Sequence, residues 1–528
     1  MSDLIHDFLF QSALRTPSAP ALVYGQRRLD YDALARLVTH CAQGLLALGL
    51  QRSERVAVYL EKNIENVGAM FGAAAAGGVF VPVNPLLKPE QVGYILTDCN
   101  VRVLVTSVDR LKLLAATLAQ CPDLRTVIVV GVGDTPAIKG VEVLPWDAYT
   151  AERAHSFAPH PVIDADMAAI LYTSGSTGKP KGVVLSHRNM VAGANSVASY
   201  LGNHAGDRLL AVLPLSFDYG LSQLSTAFKV GATAVLINHL LARDVLKAVE
   251  AEQITGLAAV PPLWIQLAQL PWPENCSLRY LTNSGGALQR PTLDALRRAL
   301  PNARPFLMYG LTEAFRSTFL APEELDRRPD SMGKAIPNAE VMVLRPDGSV
   351  CDAGEPGELV HRGALVSLGY WNDPAKTAER FKPFVSTQHG LTMTEMAVWS
   401  GDTVRRDEDG FLYFITRADE MIKTSGYRVS PSEVEEVVYA RELVGEACAI
   451  GVTHPVLGQA IVVVAHPREG ATLTDAELLA ACKPHLPSYM WPAKIVITPA
   501  SLPRNPNGKI DRKLISEQYA STFMEMPS

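Results

Sequence analysis

Tyr172-Thr173-Ser174-Gly175-Ser176-Thr177-Gly178-Lys179-Pro180-Lys181-Gly182 gathers the residue types that hold a polyphosphate. Glycine tolerates positive φ and close approach, so successive backbone N–H groups can converge on one anion. The hydroxyls of Thr173, Ser174, Ser176 and Thr177 add donors, and Lys179 and Lys181 add charge. Pro180 keeps the segment out of a helix. The pattern is not the common P-loop of Gly, four residues, then Gly-Lys-Ser/Thr. Thr173 stands where its first glycine belongs, and Pro180 where its last hydroxyl belongs. The apolar run Met167 to Leu171 just before reads as a buried strand that would present the loop. A flexible surface turn explains Gly and Ser alone, but not hydroxyls and lysines concentrated after such a strand.

Further stretches follow in order: Ser284-Gly285-Gly286-Ala287, Tyr309-Gly-Leu-Thr312-Glu313, Ser400-Gly-Asp402, Arg417-Ala-Asp419, Lys423-Thr-Ser-Gly-Tyr-Arg428 and Pro503-Arg-Asn-Pro-Asn-Gly-Lys509. Together with the loop they resemble the signature set of the adenylate-forming (AMP-binding) superfamily, which includes acyl-CoA synthetases, amino-acid adenylation domains and luciferases. The subfamilies most resembled are stand-alone prolyl-adenylating ligases and the AMP-forming ligases associated with exosortase systems. The resemblance spans nearly the whole chain and implies ATP and Mg²⁺ as cofactors. It implies that Thr173 to Lys181, with Ser174, Gly175, Ser176, Thr177 and Gly178, grips the β,γ-phosphates. Tyr309 would stack on adenine beside Gly285 and Gly286, with Thr312 and Glu313 near the phosphates. Glu313 and Thr173 would meet Mg²⁺, whose hard charge suits oxygen ligands. Asp402 would bind the ribose hydroxyls, Arg417 would lie near ribose and phosphate, and Asp419 would be the hinge. Thr416 replaces the family's Gly before that Arg. Lys423 and Arg428 would reach nucleotide and thiol once a small domain rotates. Lys509 would be a removable cation against the substrate carboxylate and α-phosphate, with Lys509, Thr173, Lys181 and Glu313 as the catalytic set. Adenylation joins two anions, and at ~4 Å unit charges interact by about 1 kcal/mol in water but about 4 at an effective dielectric of 20. Such a reaction needs cations and donors in a closed cleft.

Phe217-Asp218-Tyr219-Gly220 bears on what is activated. Acyl-CoA synthetases commonly carry His-x-x-Gly here, and Phe217 replaces that His. Amino-acid adenylation domains commonly carry Phe-Asp, whose Asp grips the substrate ammonium. Asp218 either binds an ammonium or N-caps a helix starting at Tyr219. By family register Phe217, Asp218, Ala259, Ser284, Met308 and Arg316 would line the substrate pocket, along with Ser222, Thr282 and Ser317. Arg316 would meet a second acidic group on the substrate or pair with Glu313 or Glu323, the pairing being the preferred expectation. The acceptor would be the phosphopantetheine thiol of a separate carrier protein, since no Gly-Gly-x-Ser type attachment site occurs, or CoA. The expected activity is therefore an AMP-forming ligase for a small amino acid or related carboxylic acid. The alternatives are an acyl-CoA synthetase for an amine-free acid and a non-catalytic nucleotide-binding homologue.

The elements that position these residues are readable from pattern. From Ala21 to Gly131, and again from Arg208 to Leu320, β-branched runs alternate with helical patterns, which implies βαβ units and mainly parallel sheets. Glu340 to Tyr413 turns to short strands with Gly and Asp turns, an all-β piece. After it, capping boxes at Ser430-Pro-Ser-Glu433 and Thr474-Asp-Ala-Glu477 open helices of a small α+β unit. The fold class expected is α/β: a large domain over residues 1–418 of two mainly parallel α/β subdomains plus a small β subdomain, then a mobile α+β domain over residues 419–528. Residues 133–161 read as irregular. At 528 residues the chain exceeds one ordinary core. The net charge of −6 argues against a nucleic-acid binder. Scattered cysteines, no signal-peptide pattern and no bilayer-length apolar run lead to an expected cytoplasmic enzyme without membrane insertion.

Overall fold

The computed structural model describes residues 4–153, 156–173, 179–417, 421–468, 472–504 and 510–524, with the backbone alone at 387–388 and 416–417. The first α/β series builds an eight-stranded sheet whose middle runs Met167–Thr173, Val79–Pro82, Arg55–Tyr59, Val101–Ser107, Thr126–Val130. These strands are parallel. Val, Ile and Ala occupy them because both faces are covered by helices. At one edge Met167–Thr173 turns back antiparallel into Lys181–Ser186. Ser174 to Gly178, in the connection of that hairpin, lie outside the described residues.

The second series builds a nine-stranded sheet with parallel neighbours Arg304–Tyr309, Tyr280–Asn283, Gly256–Ala259, Arg208–Ala211 and Thr233–Leu236. It also recruits Pro20–Tyr24, parallel to Thr233–Leu236, with Arg27–Asp30 at its edge. The first strands of the chain thus belong to the second sheet, not to the series that follows them. Residues 133–161 likewise contain more than a connection. Glu142–Pro145 extends the first sheet in parallel, and Tyr149 of the short helix after it donates its hydroxyl to the Cys41 carbonyl at 2.7 Å.

The all-β piece is an antiparallel sheet of Ala339–Leu344, Pro356–Gly363, Leu391–Arg406, Phe381–Gln388 and Leu412–Arg417. The last sheet joins the hairpin Ile422–Thr424/Tyr427–Val429 to Gly458–Pro467, Val444–His454 and Lys494–Ile497. Strand alternation splits its core. Ala447, Ala449, Ile461 and Val463 pack on one face with the helices Pro431–Tyr439 and Asp475–Cys482; Cys448, Ile450, Val462 and Val464 pack on the other. Thr474 and Glu477 form the expected capping box. Ser430 does not: it sits at the N-cap position, fully buried, but its hydroxyl makes no capping bond, and Glu433 faces a cavity instead of reaching back. The expected division between residues 418 and 419 falls outside the described residues. Among the described residues no helix is long and apolar enough to cross a membrane.

Lys62 ties the two large sheets together. Its ammonium donates to the carbonyls of Val212 at 2.6 Å and Leu213 at 3.3 Å, and the residue is 8% exposed. Burial pushes its pKa down to about 7, opposed only in part by Glu61. Because the folded value lies below the unfolded one, the unfolded chain binds more protons between pH 7 and the ordinary lysine range. Stability from this site therefore rises with pH across that window, by up to about 1.4 kcal/mol per unit. Thermal melts at pH 7 and 9.5 should show the melting temperature of the parent rising relative to that of Lys62→Met. Parallel pH profiles would contradict the assignment.

Candidate active site

The carboxyl ends of the parallel strands converge on one cavity of about 560 Å³. Open α/β sheets bind ligands there, where strand-to-helix loops leave backbone groups exposed. Thr173 ends one strand of the first sheet. From the second come Val260, Ser284-Gly285-Gly286 and Tyr309-Gly310-Leu311-Thr312, each at or just after a strand end. Asp402 enters from the β piece, and Lys423, Gly426, Tyr427 and Arg428 enter from the last sheet. Every sheet therefore contributes to the site.

Around Tyr309 the cavity wall combines an aromatic ring with buried carboxylates. The Tyr309 hydroxyl donates to Asp402, whose residue is 1% exposed, and the Tyr309 ring lies nearly parallel to that of His361, at 6.4 Å between centroids. Burial pushes the His361 imidazole down to about 4, so it stays neutral beside the carboxylates. Next to it, Glu313 is buried with its Oε1 accepting from the Tyr370 hydroxyl at 2.7 Å. Lys181 lies 5.3 Å over the Tyr370 ring. Burial lowers its pKa, and Lys376, Arg380 and Arg428 push the same way against Glu313. That crowd of cations is the electrostatic complement of a polyphosphate. Lys376, Arg380 and Tyr370 were not foreseen. They lie on and just before the helix Pro374–Arg380, capped by Asp373, and the only local signal is a basic residue pattern on a short helix. Arg417 contributes only backbone to the description, and Ser174 to Gly178, Asp419 and Lys509 lie outside the described residues.

The opposite end presents Phe217, Asp218, Tyr219, Ser284, Met308 and Arg316. Asp218 is the first residue of the helix Asp218–Val230; Phe217 holds the N-cap position and no side chain caps it. The capping reading of Asp218 is therefore corrected. The Phe217 carbonyl accepts from the Leu221 N–H at 2.8 Å, so the helix begins at Asp218, and Gly220 is pressed against Pro214, where an added Cβ would lie 2.1 Å from the carbonyl oxygen. The Asp218 carboxylate makes no hydrogen bond or ion pair among the described residues. The preferred pairing of Arg316 is corrected as well: Glu313 is held by Tyr370, Glu323 by Arg304, and the Arg316 guanidinium instead lies 4.5 Å over the Tyr219 ring. Ala259, Ser222, Thr282 and Ser317 are buried behind the wall, and Val260 lines it in place of Ala259. Thr282 bonds the Tyr219 hydroxyl at 2.6 Å.

The hairpin of the last sheet closes this end. Tyr427 meets Phe217 edge to face at 4.9 Å and stacks on Tyr489 at 3.8 Å. Gly426, at φ +82°, lies so close to Val260 that a Cβ would come within 2.9 Å of its methyl groups. On either side of Lys509, Leu502 and Ile510 pack on the sheet face opposite the one that holds Tyr427.

The AMP-binding enzyme model matches residues 9–371, and the AMP-binding enzyme C-terminal domain model matches residues 433–509. The chain belongs to the AMP-binding enzyme family. It is an AMP-forming acid–thiol ligase. This AMP-binding enzyme is 33% identical to an L-proline–[L-prolyl-carrier protein] ligase of Pseudomonas fluorescens, over 98% of this chain and 99% of that one. It is 30% identical over 97% of its length to a segment of tyrocidine synthase 1 of Brevibacillus parabrevis, of which it spans 45%. Among solved structures, it superimposes on o-succinylbenzoate CoA synthetase of Bacillus subtilis bound to a product analogue with a TM-score of 0.82, at 26% identity, covering 97% of this chain and 98% of that one. The same synthetase with its acyl-adenylate gives 0.67 at 27% identity, covering 96% and 97%.

Proposed function

We propose that the protein activates a small amino acid or related carboxylic acid with Mg-ATP and transfers it to the phosphopantetheine thiol of a separate carrier protein. The observation that carries this reading is Asp218: a half-buried carboxylate on the cavity wall, first in its helix, with no partner among the described residues. A carboxylate so placed suits a substrate ammonium, and the likeness to a prolyl-carrier protein ligase supports the same class. The likeness to a CoA synthetase favours the second reading, an acyl-CoA synthetase for an amine-free acid.

In the first step a carboxylate oxygen of the acid attacks the α-phosphorus of ATP, the bond to the β,γ-diphosphate breaks, and pyrophosphate leaves. Lys181, Lys376, Arg380 and Arg428 offset the charge that this step concentrates, and Asp402 and Tyr309 hold the nucleoside end. Glu313 and Thr173 are the groups that would hold Mg²⁺. A buried carboxylate and a hydroxyl are the hard oxygen donors that suit such a cation, which would neutralise phosphate charge. In the second step the thiol gives up its proton to solvent, its sulfur attacks the acyl carbon, and the acyl–oxygen bond breaks with AMP leaving as its phosphate anion.

The docked hairpin, with Leu502 and Ile510 on the opposite face of its sheet, supports assigning this arrangement to the second step. Gly426→Ala should therefore slow thioester formation about tenfold, because a left-handed non-glycine residue costs roughly 1–2 kcal/mol. Acid-dependent pyrophosphate release should be unchanged, and equal loss of both would contradict the assignment. The reading as a whole is tested by incubating the protein with ATP, candidate acids and either holo carrier protein or CoA. AMP and an acylated carrier by intact mass support it; a CoA thioester alone selects the second reading, and ADP as product would contradict both.

A further inference from the structure

We propose that the activated acid carries a second carboxylate and that Arg316 receives it. This rests on the ligase reading and goes on to name the substrate class. Arg316 lines the acyl end of the cavity at 4% exposure, and its Nε has no hydrogen-bond partner. Among the described residues its guanidinium makes no hydrogen bond and no ion pair. The acidic side chains nearest in sequence are committed elsewhere, Glu313 to Tyr370 and Glu323 to Arg304.

A buried guanidinium cannot shed its charge by deprotonation, because arginine stays protonated at any pH the fold survives. It needs an anion, and its planar fork matches a carboxylate with two parallel N–H···O bonds. The fork is also held in place. It lies over Tyr219, whose hydroxyl is pinned to Thr282, and the chain approaching it is tight: a Cβ on Gly310 would stand 3.3 Å from the Arg316 Cα, and Phe315 adopts φ +48°. Phe217, Val260 and Met308 make much of the neighbouring wall apolar. An acid with an aliphatic tail would leave the cation buried and unpaired, whereas a tail ending in carboxylate completes the site. Asp218 and Arg316 line the same cavity, so an amino acid with a side-chain carboxylate would offer its ammonium to Asp218 and its distal carboxylate to Arg316.

The test is hydroxylamine-trapped pyrophosphate release with Mg-ATP across matched pairs: L-aspartate against L-asparagine and L-2-aminobutyrate, L-glutamate against L-glutamine and L-norvaline, and succinate and glutarate against butyrate and valerate. The full chain should prefer the acidic member in kcat/KM by roughly 10- to 100-fold, the range for a hydrogen bond to a charged group. Arg316→Met should erase that preference, and Arg316→Lys should retain part of it; if the Met variant fails to fold, the Lys variant and the parent carry the comparison. Equal or better use of the neutral members, with unchanged selectivity in the variants, would overturn the proposal while leaving the ligase reading intact. Silence on every acidic member together with release on another amino or carboxylic acid would do the same. Silence on all acids would overturn the ligase reading and this inference with it.

Discussion

Alanine at Lys509 is expected to slow acid-dependent pyrophosphate release by about 10²- to 10³-fold, the cost of losing one placed charge-stabilising donor in an active site. The argument is electrostatic. Pyrophosphate formation brings a carboxylate onto a phosphate, and the cations from Lys181, Lys376 and Arg380 surround the phosphate end and not the acyl end. A further cation is needed where the two anions meet, and Lys509 lies on a segment that the resemblance assigns to that place. The residues that bracket it pack against the far face of the last sheet, so it would be delivered by rotation of that sheet and withdrawn again. Thioester formation from a supplied acyl-adenylate should therefore be unaffected in Lys509→Ala. Equal loss in both half-reactions would show that Lys509 acts on the fold and not on the first step.

Asp218→Ala is expected to lower kcat/KM for an amine-bearing acid by about 100-fold, near the upper end for a charge-assisted hydrogen bond lost from a partly desolvated site. Because Asp218 does not cap its helix, the melting temperature should hardly move, which separates binding from structure. Substrates without an amine should be spared or improved in the same variant. A large drop in melting temperature with uniform loss for all acids would contradict the assignment.

Why some of this was legible in the residues and some was not follows from range. The stretches Thr173 to Lys181, Tyr309 to Glu313 and Ser400 to Asp402 are local patterns, readable because glycines, hydroxyls and carboxylates concentrate in a few positions. The alternating sheets were legible for the same reason, since period and β-branching are local. The strand Pro20–Tyr24, at the start of the first alternating series, pairs with the second sheet because a strand's partner is chosen by distant packing, here against Thr233–Leu236. Lys376 and Arg380 show only a basic pattern on a short helix; they matter because the fold brings their charges within electrostatic reach of Lys181. Asp218 and Arg316 turned on single-residue details, a helix beginning at 218 and not 219, and carboxylates already taken by Tyr370 and Arg304. Ser430 shows the reverse case: the capping-box pattern is present, yet Ser430 is fully buried without a capping bond and Glu433 lines the cavity.

The most direct test of the central claim is pyrophosphate release from Mg-ATP, without thiol and with hydroxylamine present, across amino acids and short to medium carboxylic acids. Acid-dependent release, with a matching hydroxamate and AMP in equal amount, is the predicted result, strongest for an acid bearing an amine. ADP in place of AMP, or no acid-dependent release with any member of the panel, would contradict it.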